Sequence, residues 1–357
     1  PAGAAGRMSS GALRIPVPTA SPPIDLAFVG KRGALRPIAV TRTALIDADG
    51  ATTRLPDGAV ALAATEVDVD GDGRLELAVL VAVDDPPRGT RLLVGRHATD
   101  EWSFERPWSG PAREFPTDAE PSADLVAVDL DHDGDVDLAW CWTSLDAARC
   151  RTANNDGAGR FAPPAADAIE FANPGAGPVR LAIADLDDDR DIDLAVGRPD
   201  GIRLYSNQRE GRFVDVSEVA GTAGVGPLVG PYALADVDKD GDVDLVVSTA
   251  DGPAWLRNRR GRFAPPELVA ETTDRSTGLR VEDVDNDGFL DILEATAGGA
   301  VRIVRNLGAD GWAEPLTAFV GSGPIPDRWM FAASDDDGDG DLDLWIRTAD
   351  GIGTVVN

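Results

Sequence analysis

The chain has 357 residues, of which 62 are acidic and 33 basic, for a formal charge of −29. So negative a chain has no electrostatic basis for gripping a nucleic-acid backbone, and it contains no run of about 18 apolar residues that could cross a bilayer as a helix. At 43% hydrophobic content it can still bury a large core, so the acidity has to be located rather than averaged.

From the N terminus, residues 1–10 contain Gly6, Arg7 and Met8, a triplet that acquires meaning only from repeats downstream. Next comes "PPIDLAFVG" around Asp25, which matches "RDIDLAVG" at 190–197 and marks a first repeat. Val17, Thr19 and Ser21 stand where that repeat's metal ligands would be, so it is expected to be structural and metal-free. The "DADG" at 47–50 lies too close to its neighbours to be a separate unit and reads as a turn.

The first intact acidic loop is Asp68, Asp70, Asp72 and Glu76, written D-x-D-x-D-G-x-x-E. Alternation turns the first three carboxylates inward and the glycine supplies a sharp turn, giving an oxygen cage suited to a hard cation. Calcium fits this donor set best, because magnesium keeps more water and soft metals require His or Cys. The pattern recurs at Asp129, Asp131, Asp133 and Asp137, and at Asp185, Asp187, Asp189 and Asp193. It returns at Asp236, Asp238, Asp240 and Asp244, at Asp283, Asp285, Asp287 and Asp291, and at Asp335, Asp337, Asp339 and Asp343. Up to six calcium ions are therefore expected. The Asp185 loop is the weakest, because Arg190 replaces the turn glycine, where a positive φ costs about 1 kcal/mol or more. These six nine-residue loops contain 30 of the 62 acids and only three bases, Arg74, Arg190 and Lys239. The rest of the surface is nearly balanced.

The last acids of successive loops are 61, 56, 51, 47 and 52 residues apart, a repeat of about fifty. Each repeat reads as strands: an apolar run, the acidic loop, a run such as "DLAVG", a turn, and a strand ending at Asn155, Asn207, Asn258 or Asn306. An aromatic follows each of these, usually within Gly-Arg-Phe. Helical periodicity is missing, and the acidic loop joins strands, which excludes an EF-hand. The expected fold is all-β, a seven-bladed β-propeller of four-stranded blades in one domain over 1–357. The expected blades are 11–60, 61–122, 123–178, 179–229, 230–276, 277–328, and 329–357 completed by residues 1–10. Gly6-Arg7-Met8 would replace Gly-Arg-Phe there, so the N- and C-terminal strands share the last blade.

Cys141 and Cys150 face each other across a hairpin centred between Leu145 and Asp146, which makes a disulfide geometrically available. Such a bond favours an exported chain. Of the two histidines, His132 lies within an acidic loop, leaving His97 as the ordinary candidate for acid–base work. No nucleophile motif accompanies it. Trp140, Trp255, Trp345 and Tyr232 align with core positions; Trp102, Trp108 and Trp142 are the surface candidates, and Tyr205 is less constrained.

The repeated D-x-D-x-D-G-x-x-D-L with its Gly-Arg-Phe segments resembles FG-GAP/VCBS-type repeats, similar to the propeller of integrin α chains. "GRFVDVSEVAGTAG" also resembles the cartilage-acidic-protein type of repeat. The resemblance implies structural calcium, an extracellular or periplasmic setting, and ligands bound at the face opposite the metal loops. The connections on that face differ in length and charge, at 83–89, 198–201, 221–231 and 272–278, as suits one asymmetric binding site. Arg88, Arg198, Asp200, Asp274 and Arg275 are the candidate contacts. The function expected is binding or adhesion toward a protein or glycan by a monomer. A polysaccharide lyase or glycosidase, or a purely structural module, is the alternative.

Overall fold

The computed structural model describes residues 9–15, 23–31, 34–83, 89–98, 101–109, 123–143, 147–162, 169–172, 179–198, 200–209, 212–226, 228, 230–272, 274–320, 331–334, 343–348 and 351–356. Two compact units are formed, one of Ser21–Leu228 with Arg259–Phe263, the other of Pro1–Ala20, Val229–Asn258 and Ala264–Asn357.

In the first unit, Pro23–Lys31, Ala34–Thr41, Ala44–Asp47 and Thr52–Arg54 form one antiparallel meander, and Val60–Val67, Arg74–Val83, Gly89–Ala98 and Glu101–Ser109 form another. Gly30 and Lys31 pair with Leu75 and Arg74, which joins the two meanders into a sheet of eight strands. The "DADG" is a turn, with Asp47 Oδ1 accepting the amides of Asp49 and Ala51. A five-stranded sheet follows, made of Ala123–Val128, Asp137–Thr143, Ala147–Asn155 and Phe161–Ala162, with Ile169–Ala172 also pairing to its third strand. Arg180–Ala184, Asp193–Arg198, Gly201–Asn207 and Phe213–Asp215 form a sheet of four.

The second unit contains three four-stranded sheets. Tyr232–Ala235, Asp244–Ser248, Pro253–Leu256 and Glu267–Leu268 form one, and Ser276–Glu282, Asp291–Thr296, Ala300–Val304 and Leu316–Val320 the next. In the third, Phe331–Ser334, Asp343–Thr348 and Gly351–Val356 are completed by Ser9–Ile15. The chain's N- and C-terminal strands thus share a sheet as expected, the described partner strand being Ser9–Ile15, which overlaps the expected 1–10 at Ser9 and Ser10. Residues 1–8, with the Gly-Arg-Met triplet, lie outside the described residues. Strand-forming Leu13 and Ile15 lie in the paired stretch, and Pro16, which has no amide to donate, follows it.

Sequence period explains the packing. The second strand of a repeat is buried along its whole length, as in Asp193–Arg198 and Asp291–Thr296, because its alternate side chains feed two different cores. Leu138, Trp140 and Trp142 pack with Leu80, Leu92 and Val94 of the sheet before, whereas Ala139 and Cys141 pack with Leu181, Leu194 and Val196 of the sheet after. In the second unit Val246 and Trp255 meet Leu279, Ile292 and Val304. Trp140 is fully buried and Tyr232 is 8% exposed, as expected of core residues. Trp142, expected at the surface, is 7% exposed; a side chain two residues from Trp140 on one strand faces the same core. Tyr205 is also buried, and burial pushes its hydroxyl pKa up to about 12. Cys141 and Cys150 are directly paired in register and bonded as a disulfide.

Candidate metal centre

Every described acidic loop connects the first and second strands of its repeat, and four of the five share one internal wiring; in the Asp129 loop Asp129 accepts from Gly134 N, while Asp133 N donates to Asp131 Oδ1 instead. The first acid turns back to the loop's own amides: Asp236 accepts from Asp240 N and Gly241 N, both at 3.1 Å, and Asp283 accepts from Asp287 N at 3.1 Å and Gly288 N at 2.9 Å. Closing that turn requires two left-handed residues. The sixth loop position has φ of 79°, 95°, 73°, 95° and 89° at Gly73, Gly134, Arg190, Gly241 and Gly288. The fourth position is left-handed too, at Gly71, His132, Asp188, Lys239 and Asn286. Only the glycine at the sixth position signals this requirement in sequence. Arg190 adopts the strained conformation at φ 73°, so Arg190→Gly should stabilise the protein by about 1 kcal/mol in denaturant unfolding. An unchanged or lowered midpoint would contradict the strain.

Three carboxylates per loop converge. The groups lying within 4.8 Å of one another are Asp68, Asp70 and Glu76; Asp129, Asp131 and Asp137; Asp185, Asp187 and Asp193; Asp236, Asp238 and Asp244; and Asp283, Asp285 and Asp291. Asp72, Asp133, Asp189, Asp240 and Asp287, expected as third ligands, are not in these groups. Each accepts the main-chain amide two residues on, at 2.8–3.0 Å. Asp335, Asp337 and Asp339 lie outside the described residues; Asp343 begins a strand, and its side chain lies outside them as well.

The last acid of each loop is buried: Asp137, Asp244 and Asp291 are 0% exposed, Asp193 2% and Glu76 6%. It closes the loop from below. Asp244 Oδ2 accepts from Val237 N at 3.1 Å and Oδ1 from Asn258 N at 2.7 Å; Asp137 holds Leu130 N and Asn155 N in the same way, as Asp193 does Leu186 N and Asn207 N. Burial pushes Asp137, Asp244 and Asp291 up to about 6 and Asp193 to about 7, outweighing the main-chain donors that pull them down. Glu76 is raised for the same reason.

The asparagines then tie repeat to repeat within each unit. Asn155 Nδ2 donates to Val136 O of its own loop and to Val69 O of the preceding loop, at 3.1 and 2.9 Å. Asn207 does so with Ile192 O and Leu130 O, and Asn306 reaches Val237 O. His97 occupies the corresponding place in the Asp68 repeat, where its ring lies 5.1 Å from that of Trp102. Trp102, another expected surface candidate, is half-buried and stacks on Phe104.

The donor set is all carboxylate oxygen, and Oδ1 of Asp70, Asp129 and Asp187 is buried without a hydrogen-bond partner. Hard oxygens left unpaired beside other carboxylates fit a hard cation. Arginines approach two of the clusters: Arg96 lies 2.7 Å from Asp70 and 3.6 Å from Glu76, and Arg305 contacts Asp285.

At the other end of the strands, Arg198 is 8% exposed and makes a two-pronged pair with Asp200 across its turn, at 2.9 and 2.8 Å. In the second unit Asp274 accepts from Gly298 N at 2.9 Å, and a hydrogen bond from Thr296 lowers its pKa; Arg275 O accepts the Ala297 amide. Arg88 lies outside the described residues.

Among known proteins, the profile of the FG-GAP-like repeat matches residues 68–140, 185–247 and 236–294. No curated protein matches the sequence. Solved structures similar to this chain include an Agrocybe aegerita lectin that recognises non-reducing terminal N-acetylglucosamine, 15% identical over 93% of this chain and 86% of the lectin, with a TM-score of 0.56. BBS1N in complex with ARL6DN is 14% identical over 98% and 97%, TM-score 0.57, and the Dos1 propeller 12% identical over 94% and 77%, TM-score 0.52. At such identities the likeness is one of fold, an all-β propeller with four-stranded blades.

Proposed function

The chain belongs to the FG-GAP-like repeat family, and from that membership we propose that it is an exported, calcium-stabilised propeller of seven blades that binds a protein or glycan ligand. The carrying observation is the contrast between the two ends of the strands. At one end five loops repeat the same turn, with left-handed residues at two positions, around three convergent carboxylates; at the other, the connections differ in length and chemistry. Uniform loops suit a repeated structural task, and varied loops on a rigid scaffold suit recognition.

Calcium in this reading is held by the first two acids and the last acid of each loop, and its charge offsets carboxylates that otherwise repel one another. The reading of seven blades is supported by the four four-stranded sheets, the five-stranded sheet and the two meanders of the eight-stranded sheet, each supplied by about one sequence repeat. The Cys141–Cys150 disulfide supports an extracellular or periplasmic setting. Similar folds serve a sugar-recognising lectin and a protein complex, which supports either ligand class for a monomer acting at its variable face.

A glycan array run beside a pull-down from extracellular material tests the reading. Arg88→Ala combined with Arg275→Ala should weaken the ligand found, leaving calcium content and melting unchanged. Arg198 is a poor probe, since it is buried against Asp200. Loss of binding on substituting Arg74 or Lys239 instead would place the ligand at the metal loops, and no ligand above background in either assay would sink the proposal.

A further inference from the structure

The residue just before each latch asparagine, or before His97, differs in chemistry from repeat to repeat, and in three repeats it bonds to or pairs with the loop's second acid. Arg96 Nη1 lies 2.7 Å from Asp70 Oδ2 and 3.6 Å from Glu76 Oε1. Arg305 contacts Asp285 and lies 3.7 Å from Asp287. In the Asp129 repeat the position is Asn154, whose neutral amide donates to Asp131 at 2.6 Å. In the Asp185 repeat it is Ser206, hydrogen-bonded by Gln208. Arg257 of the Asp236 repeat lies 4.2 Å over the Trp255 ring and 3.7 Å from Glu267, and its charge partly offsets the burial that raises the pKa of Asp238.

We infer that this position sets the cation demand of each loop, and that Arg96 and Arg305 are resident cations that leave the Asp68 and Asp283 loops poor calcium sites beside the Asp129, Asp185 and Asp236 loops. The inference rests on the calcium reading above and divides its sites. A guanidinium stays charged at every accessible pH and forks readily onto carboxylates. A doubly charged ion sharing those oxygens would sit within a few ångströms of it, where like charges repel strongly. Asn154 and Ser206 bring no tethered charge to this position, and Arg209 and Arg260 pair with Asp191 and Asp188, which lie outside the three-carboxylate group; a buried unpaired oxygen is common to Asp129, Asp187 and, despite Arg96 on its other oxygen, Asp70. Sequence grammar ranks the loops differently: it marks the Asp185 loop as weakest because Arg190 stands in place of the turn glycine and strains the backbone.

The test uses the whole chain, stripped with chelator and titrated with calcium chloride, with bound ions counted by elemental analysis and affinities read by calorimetry. Arg96→Gln and Arg305→Gln should each take up one more tightly held ion than wild type, the affinity at that site rising by about tenfold or more. Arg96→Lys keeps the charge and should gain none, and Arg160→Gln, whose partner Asp156 lies outside the three-carboxylate groups, should match wild type. If Arg96→Gln does not fold, Arg305→Gln in the other compact unit is the independent arm. Wild type and both glutamine variants binding the same number of ions with the same affinities would overturn the inference and leave the calcium reading standing. No calcium bound by any of the proteins would overturn both.

Discussion

Calcium at about 1 mM should raise the melting temperature of the chelated protein by about 3–9 °C. Extracellular-type sites have dissociation constants of about 10⁻⁴ to 10⁻³ M, so each contributes about 0.4–1.4 kcal/mol at that concentration. Five such sites contribute about 2–7 kcal/mol, against an unfolding entropy of about 0.75 kcal/mol per degree for a chain this long. If Arg96 and Arg305 already serve two loops, the shift falls at the lower end. The effect should also depend on pH in a defined direction. Asp137, Asp193, Asp244 and Asp291 have folded pKa values of about 6 to 7, above the ordinary 3.8. A raised carboxyl pKa means that the folded state holds its proton more tightly, so the contribution is fully present below about pH 4 and is lost as pH rises through 6 to 7. Without calcium the melting temperature should therefore lose ground across that window through these groups, and the gain on adding calcium should widen. Calorimetric scans at pH 5 and 7.5, with and without calcium, check both statements; a gain that is absent, or that is larger at pH 5, contradicts them.

Asp244→Ala should cost about 2–6 kcal/mol whether or not calcium is present. The substitution strands the amides of Val237 and Asn258, and an unsatisfied buried donor costs about 1–3 kcal/mol. Asp238→Ala removes an acid that converges on the same cluster but is exposed, so its cost should show mainly when calcium is supplied. Urea unfolding of both variants with and without chelator separates latch from ligand. Equal costs for the two in chelator would show that the last acid is a ligand and no more.

Much of this molecule is legible as spacing. Period-2 apolar runs interrupted by acidic loops are enough to place the strands, because side-chain alternation leaves few other ways to bury Leu138 and Trp140 on one side and Ala139 on the other. The facing cysteines follow from hairpin register. Less legible is the division of labour among identical aspartates. Asp240 and Asp244 are the same residue type four apart, yet one caps an exposed turn and the other is buried beneath the loop; that difference comes from the second strand beginning at Asp244, not from the residue. Arg96 and Arg305 are not legible as site residues for a related reason: Arg96 lies on the third strand and Arg305 just past its end, and only pairing brings that strand beside the loop. Trp142 is buried where a surface position is expected because it stands two residues from Trp140 on one strand and so faces the same core.

The pairing of Ser9 with Val356 and of Ile15 with Ile352 has a consequence for how the protein is made. A ribosome delivers the chain from its N-terminal side, so Ser9–Ile15 emerges long before Gly351–Val356 and has no partner in this sheet until then. Every other described sheet can assemble from neighbours already synthesised; this one cannot. Through that interval the earlier segment stays unclaimed, and a chain released before Gly351 leaves it open to any other strand in reach. Premature release, more than any single substitution in the loops, is the event against which this architecture has least protection.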